Sequence, residues 1–270
     1  IYVIYAGSAP GTHILYLASL FPSIHFELYD PREFSNNLLK NKEMIKTYVQ
    51  YFTDETANEW ISSNHPDKTI LFISDIRTGE PETQTSNEVE NRVNIDHEWQ
   101  HTWYNIIKPE SAMFKFRLPW DNGFTEYMDG KIYIQSYPPL TSTETRLIVG
   151  KNAGLRQYDN RKYEEQLFYF NSNLRVNNYN NLLYDIDSND KHGIRNDYDG
   201  AAEIHILEHY INLYYPKSEG ILKTIKIKTM IKDISDNLSN KRTLYSTQPI
   251  KSDKKNILMN LQKLGYAPNN

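Results

Sequence analysis

Two glycines bracket Ser-Ala-Pro in YAGSAPGTH (5–13), directly after the strand-like IYVIY, and an acidic residue, Asp30, closes the next strand-like run, HFELYD. Gly7 and Gly11 permit a tight turn and the close approach of a ligand, Pro10 fixes the loop, and Thr12 falls near the start of the following helix. Asp30 stands where an acidic side chain accepts hydrogen bonds from two ribose hydroxyls. The loop lacks the Gly-Lys-Ser/Thr of a phosphate-binding loop and the third glycine of the dinucleotide fingerprint. A nucleoside without a pyrophosphate fits better, and S-adenosylmethionine is the common one. Further along, Phe52-Thr53-Asp54 follow a third strand and can flank an adenine ring. Ser74-Asp75-Ile76-Arg77 end a fourth. Lys115 and Arg117 alternate on a fifth, so both point to one face, and Glu144 lies on a late strand.

These residues need a frame that gathers them. IYVIYA (1–6), HFELYD (25–30), TYVQYF (47–52), TILFISD (69–75) and AMFKFRL (112–118) read as strands, with helical spacing over 12–21, 33–42, 54–64 and 87–107. Strands alternating with helices of this length imply crossover connections and a mostly parallel sheet flanked by helices. In such sheets ligands bind beyond the carboxyl ends of the strands, where all the residues above fall. KIYIQSY (131–137) and TETRLIVG (143–150) read as later strands, antiparallel at one edge. Helical additions follow at 161–174, 200–215 and 219–238, separated by an Asn/Asp-rich loop over 177–200. The expected organisation is an α/β domain over 1–240 and a polar, basic tail over 241–270. Because Ile1 already lies inside a strand pattern, an upstream segment is expected.

Composition narrows the field. The chain has 270 residues, 39% of them hydrophobic and 24% charged, which suits a soluble globular protein with a sizeable core. It has no cysteine, so neither disulfides nor thiolate metal sites arise. No apolar run approaches the length of a membrane span, so no membrane partner is expected. Residues 217–270 hold 11 Lys/Arg against 4 Asp/Glu although the net charge of the chain is −4. A basic C-terminal portion attracts polyanions, and a solvated helix face explains it equally well.

His97-Glu98-Trp99-Gln100-His101 matches the H-E-x-x-H pattern of zinc proteases on an expected helix. The metzincin continuation fails, since Tyr104 and Ile107 occupy its Gly and His positions, and this helix should pack on the outside of the sheet. The match is read as chance and no metal is expected.

YAGSAPGTHILYL, LYDPR, FISDIR, FKFRLPW and TETRL occur in the same order as their counterparts in the poxvirus cap-specific mRNA 2′-O-methyltransferases. The sequence therefore resembles that family over residues 1 to about 215, most specifically in the first and fourth blocks. The resemblance implies a Rossmann-like, S-adenosylmethionine-dependent methyltransferase fold. It also implies capped mRNA as substrate, and as partner the catalytic subunit of a viral poly(A) polymerase, for which the family serves as processivity subunit. It places the protein in the host cytoplasm (the viral factory) or the virion.

The family's Lys-Asp-Lys-Glu catalytic set falls on Asp75, Lys115 and Glu144. Its first lysine falls before Ile1, which leaves the activity of this stretch by itself open. Its cofactor contacts fall on Tyr5, Gly7, Gly11, Asp30, Arg32, Phe52, Thr53 and Asp75. The cap-stacking aromatic falls on Trp120, the carboxylates that hold the guanine edge on Glu164 and, with a one-residue shift, Asp121, and Arg117 is a further RNA contact. The implied chemistry is attack of a 2′-hydroxyl on a sulfonium methyl, with a neutral Lys115 taking the proton. Free lysine has a pKa of about 10.4, so its ammonium must be disfavoured. Burial and a nearby cation lower that value while Asp75 and Glu144 raise it, which assigns the missing cation to the upstream lysine and the sulfonium. N7-methylated guanine is cationic, so Trp120 would add cation–π attraction to stacking. A surface Lys115 and a core Trp120 are what the residue types alone suggest. The alternative function is a non-catalytic RNA-binding or polymerase accessory subunit on the same fold, and a zinc-dependent protease is the remote one.

Overall fold

A computed structural model describes residues 1–40, 43–62, 68–80, 82–178, 198–217 and 219–238. The chain divides into two compact units, residues 1–135 with 143–164, and residues 136–142 with those from 165 onward.

The first unit is an α/β sandwich. In chain order it holds β1 (Tyr2–Ala6), α1 (Ile14–Leu20), β2 (His25–Asp30), α2 (Asn36–Leu39), β3 (Ile45–Val49), α3 (Asp54–Ser62), β4 (Ile70–Ser74), α4 (Ser86–Ile107), β5 (Ser111–Phe116), β6 (Phe124–Met128), β7 (Lys131–Ile134), β8 (Thr145–Gly150) and β9 (Leu155–Asp159). Seven strands form one sheet in the order β3-β2-β1-β4-β5-β8-β7. The first five run parallel, and β8 and β7 close the edge antiparallel, as the two late strands predicted. Strands β1 and β2 are buried along almost their whole length, as expected where helices cover both faces. Ile4, Leu28, Phe72, Phe114 and Leu147 are fully buried at its centre.

Strands β5 and β8 alternate instead, with every second residue only partly buried. Their antiparallel register sets Lys115 directly opposite Arg146. Two like charges facing each other are unfavourable unless an anion comes between them, and the sheet supplies one.

Helix α4 is the longest in the unit and begins at a complete capping box, in which Thr85 accepts from the Glu88 backbone and Glu88 accepts from that of Thr85. It ends at Lys108, whose backbone is left-handed. Four features depart most from expectation. The third strand spans 45–49 rather than 47–52, because Phe52 turns into the core. Helix α2 is a single turn. Strands β6 and β9 form a separate two-stranded ribbon that the sequence pattern does not reveal. The expected loop over 177–200 is helical at both ends, and its residues 179–197 lie outside the described residues.

Helix α5 (Asn160–Tyr169) carries the chain into the second unit, where a π-helical stretch (Phe170–Asn178), α6 (Tyr198–Tyr214) and α7 (Gly220–Leu238) follow. Inside that unit the buried Arg175 pairs with the buried Asp199 at 3.1 Å and donates to the Pro138 carbonyl at 2.9 Å. The tail expected over 241–270 lies outside the described residues. Among the described residues no helix is long and apolar enough to cross a membrane.

Candidate active site at the carboxyl ends of the strands

After β1 the chain moves outward to β2 and β3, and it then returns to place β4 on the other side of β1. The crevice at such a reversal, outside the carboxyl ends, is where open α/β sheets bind ligands. Here the glycine loop leaves β1, Asp30 ends β2 and Asp75 follows β4.

Asp75 carries the centre of a charged cluster. Its Oδ1 pairs with Arg146 at 2.8 Å and with Lys115 at 3.3 Å, so it is the anion between the two facing cations. Arg146 also pairs with Glu144 at 3.0 Å, and Arg77 closes the chain of charges on the other Glu144 oxygen. Gln135 donates to Glu144 at 3.0 Å. Burial lowers the Lys115 pKa below its ordinary value; the attraction of Asp75 works against that, and Arg77 and Arg146 lower it further. The cations that disfavour the Lys115 ammonium are thus present within the chain. The sequence alone assigns that role to the upstream lysine and the sulfonium.

Arg146 is the site residue that sequence reasoning missed, since its role depends on the β5–β8 register. His13 is another. It stands at the N-cap of α1, edge-on to Tyr5 at 6.1 Å, and it feels Asp75 although burial lowers its pKa. Tyr5 is buried at the end of β1, within the fields of Asp75, Arg146 and Asp30.

The glycine loop is tight, as expected, and the chain itself crowds against it. Gly7 and Gly11 have φ of +80° and +70°, as a sharp turn requires. A Cβ on Gly7 would meet the Asp75 and Ile76 backbone at 2.9 Å, and one on Gly11 would meet Leu38 at 2.8 Å. These glycines thus permit a close approach of the chain to itself. Gly7 lets β4 bring Asp75 beside the loop.

Asp30 is buried, and both its oxygens are doubly engaged. Oδ1 accepts from the Arg32 backbone and Nε, each at 2.9 Å, and Oδ2 accepts from Ala9 N and Arg32 Nη2, each at 3.0 Å. Burial alone would raise its pKa, but these hydrogen bonds outweigh it and hold the carboxyl below the usual range. All four acceptor positions of the carboxylate are filled. A ribose therefore reaches Asp30 only when Arg32, whose side chain is 70% exposed, swings aside.

Phe52 and Thr53 serve the frame. Phe52 is buried edge-on to Tyr29 and Trp103, each at 5.0 Å, which makes it a core residue rather than a wall flanking an adenine. Thr53 Oγ1 accepts from Thr56 N at the start of α3.

Arg117 lies two residues beyond Lys115 and pairs with Glu90 on α4 rather than with Asp75, although its charge still reaches Arg77. Its guanidinium meets Glu90 through both nitrogens at 3.1 Å, and it lies over the Trp120 ring at 5.1 Å. Glu90 also accepts from Trp120 N at 2.9 Å. The Trp120 indole donates to Thr143 at 3.2 Å, and 46% of the residue is exposed, so it is not the core tryptophan its type suggests. Asp121 takes another direction. It accepts from Gly123 N and from Asn160 in the first turn of α5, and it lines a groove of about 490 Å³ between α4 and the β6–β9 ribbon. Glu164 is buried one turn further along α5.

The histidines of the H-E-x-x-H match line that same groove. His97 is buried and stacked on Tyr127 at 4.4 Å and on Phe116 at 5.7 Å, and burial lowers its pKa to about 3. His101 contacts Asn105 at 3.0 Å. Among the described residues no group of three His, Cys, Asp or Glu is placed to hold a metal ion.

Known proteins resemble this sequence. A family model described as "Poly A polymerase regulatory subunit" matches residues 1–242. The cap-specific mRNA (nucleoside-2′-O-)-methyltransferase of Myxoma virus (strain Lausanne) is 29% identical over 203 residues, covering 68% of this chain and 58% of the relative. The protein of the same description from Fowlpox virus (strain NVSL) is 28% identical over 209 residues, covering 68% of this chain and 64% of the relative. The chain thus spans about three fifths of the length of these relatives. Among solved structures, bluetongue virus VP4, described as a multifunctional RNA-capping production line, superposes with a TM-score of 0.49 and 13% identity, over 62% of this chain and 28% of that one.

Proposed function

The chain belongs to the poly A polymerase regulatory subunit family, and from that premise we propose that it is a cap-specific mRNA 2′-O-methyltransferase. The methyl donor is S-adenosylmethionine, and the acceptor is the 2′-hydroxyl of the first transcribed nucleotide. The curated relatives carry that activity in their names. The observation that carries the reading is the Lys115–Asp75–Arg146–Glu144 cluster beside the glycine loop at the sheet's reversal point.

The residues suit the donor. Asp75 and Asp30 put negative charge on either side of Tyr5, as a cationic nucleoside requires, and Asp30 gains a place for ribose hydroxyls once Arg32 moves. S-adenosylmethionine supplies an electrophilic methyl group on a sulfonium. Lys115 does the work that the chain must do. In its neutral form the amine accepts the hydroxyl proton as the oxygen becomes a nucleophile, and it leaves the step as an ammonium facing Asp75. Asp75 orients that amine, and Arg146, held by Glu144, keeps Asp75 from belonging to Lys115 alone. Positioned proton transfer of this kind contributes about two to four orders of magnitude in rate.

Trp120 is the stacking surface for methylated guanine, with Glu164 and Asp121 as candidate partners of the guanine edge. Asp121 is the weaker of the two, because its carboxylate is already tied to Gly123 and Asn160. The family's description also points to a polymerase as partner, so the same chain serves as the regulatory subunit of a poly(A) polymerase.

The test is transfer of radiolabelled methyl to capped RNA, with digestion of the product to locate the label. Label on the 2′-oxygen of the first nucleotide supports the reading. Absence of both transfer and S-adenosylhomocysteine binding by the folded protein rejects it, and leaves the accessory subunit.

A further inference from the structure

Arg117 has one ion-pair partner among the described residues, Glu90 on α4. The contact is bidentate and partly buried: Glu90 Oε1 accepts from both terminal nitrogens of Arg117, and Oε2 accepts from Nη1, all at 3.1 Å. The same Oε2 accepts from Trp120 N at 2.9 Å. One carboxylate therefore fixes the plane of the guanidinium, the backbone under the indole, and the 5.1 Å stack of one on the other. Bidentate geometry of this kind is selective as well as strong.

The arrangement poses an electrostatic problem for a ring meant to bind a cation. An indole attracts positive charge at either face through its quadrupole. Here one face already carries the Arg117 guanidinium. A second cation on the other face would gain from the ring and lose to Arg117 through it, unless the guanidinium is neutralised where it stands.

We propose that Glu90 is a specificity-determining positioning residue: by neutralising Arg117 behind Trp120, it lets the indole prefer the cationic, N7-methylated guanine over the neutral base. This rests on the reading of Trp120 as the cap-stacking residue. Glu90 acts through Arg117 and touches no substrate. Its contribution is charge, because Gln at the same position keeps an acceptor for Trp120 N and removes only the neutralisation.

Calorimetric titration of the whole protein with m7GpppA and GpppA, in parallel, tests this. In Glu90→Gln the preference for the methylated dinucleotide falls by about three- to tenfold, the effect of one partly screened charge at close range. Glu90→Asp keeps the preference. Arg117→Gln added to Glu90→Gln brings it back to within about twofold of wild type, since no cation is left to neutralise. S-adenosylhomocysteine affinity stays unchanged in Glu90→Gln, which shows that the protein is folded. An unchanged preference in Glu90→Gln overturns the proposal, and so does a double variant no better than the single one, which would make Glu90 a structural clamp only. If Glu90→Gln does not fold, Arg117→Gln alone decides: a preference equal to or above wild type supports the proposal and a lower one overturns it. Trp120→Ala separates the two levels. Should it bind both dinucleotides as tightly as wild type does, the cap pocket lies elsewhere and the reading beneath the proposal fails first.

Discussion

Lys115 and Arg117 leave one strand two residues apart, and their surroundings diverge at once. Lys115 meets an aspartate that Arg146 also holds, with Arg77 nearby, so its positive charge is contested from three sides. Arg117 meets a carboxylate that no other charged side chain shares among the described residues, and the pair is bidentate. Lysine is a group whose protonation can change, and burial among cations moves it toward neutrality. Arginine stays charged, and its planar fork suits a fixed contact. On the proposed reading, one end of β5 serves proton transfer and the next step along it serves recognition.

Exchanging the chemistry at the first of these positions should have the largest effect. Lys115→Arg keeps the charge and approximate reach, but a guanidinium cannot accept a proton near neutral pH. Methyl transfer should fall by about two to four orders of magnitude while cap and S-adenosylhomocysteine affinities change little. Measured by label incorporation at saturating substrate, turnover near wild type would make Lys115 a binding residue, and the contrast with Arg117 would collapse.

At the recognition end the expected loss is in binding. Trp120→Ala removes the stacking surface and should cost about 1–3 kcal/mol of capped-dinucleotide affinity, the range for base–aromatic stacking. Turnover at saturating RNA should be nearly preserved. A variant that loses turnover and keeps affinity would place Trp120 on the chemical side of the divide.

Asp30 offers a comparison with Asp75 on similar terms. Asp75 shares its charge between two side chains, Lys115 and Arg146, whereas Asp30 is held by the backbone Ala9 N as well as by Arg32. Asp30→Ala leaves the partly buried Ala9 N–H without its carboxylate and loosens the glycine loop, so methyl-donor affinity should drop by about 1–3 kcal/mol. The readout is S-adenosylhomocysteine titration. Unchanged affinity would make Asp30 a structural tie only.

Much of this division could be read from the residues. Strands β1, β2, β4 and β5 announce themselves through β-branched and aromatic runs, and each brings a candidate residue to or just past its carboxyl end, so the places of Asp30, Asp75 and Lys115 are found by counting. The β6–β9 ribbon escapes because its strands, FTEYM and LRQYD, are short and largely exposed, and pair across 26 intervening residues. Phe52 misleads for the opposite reason. It is a good strand former that continues the pattern of β3, but the core takes its ring. Arg117 is misplaced because alternation along a strand gives its face only while the strand lasts, and β5 ends at Phe116. Arg146 is out of reach of any local pattern. Nothing in TETRLIVG says which residue of β5 will face it.

That register supports the smallest and most specific expectation. Arg146 stands opposite Lys115, and its charge helps keep the lysine pKa below the ordinary value, along with burial and Arg77. Neutral amine is the reactive form, so the chemical rate should rise with pH as the ammonium is lost, and level off above the lowered pKa. Arg146→Gln removes one of the cations and leaves Asp75 to Lys115 alone. Both changes favour the ammonium, so the ascending limb should move to higher pH. The change is worth about 1 kcal/mol or less, as for other partly exposed charge pairs. Arg117→Gln, at the position whose charge is spent on Glu90, should leave the limb where it is. Single-turnover rates across pH, taken on both variants, decide the matter. A limb that moves equally in the two variants would mean that the cations at the end of β5 act on Lys115 through one common field, and the separation of roles along the strand would be lost.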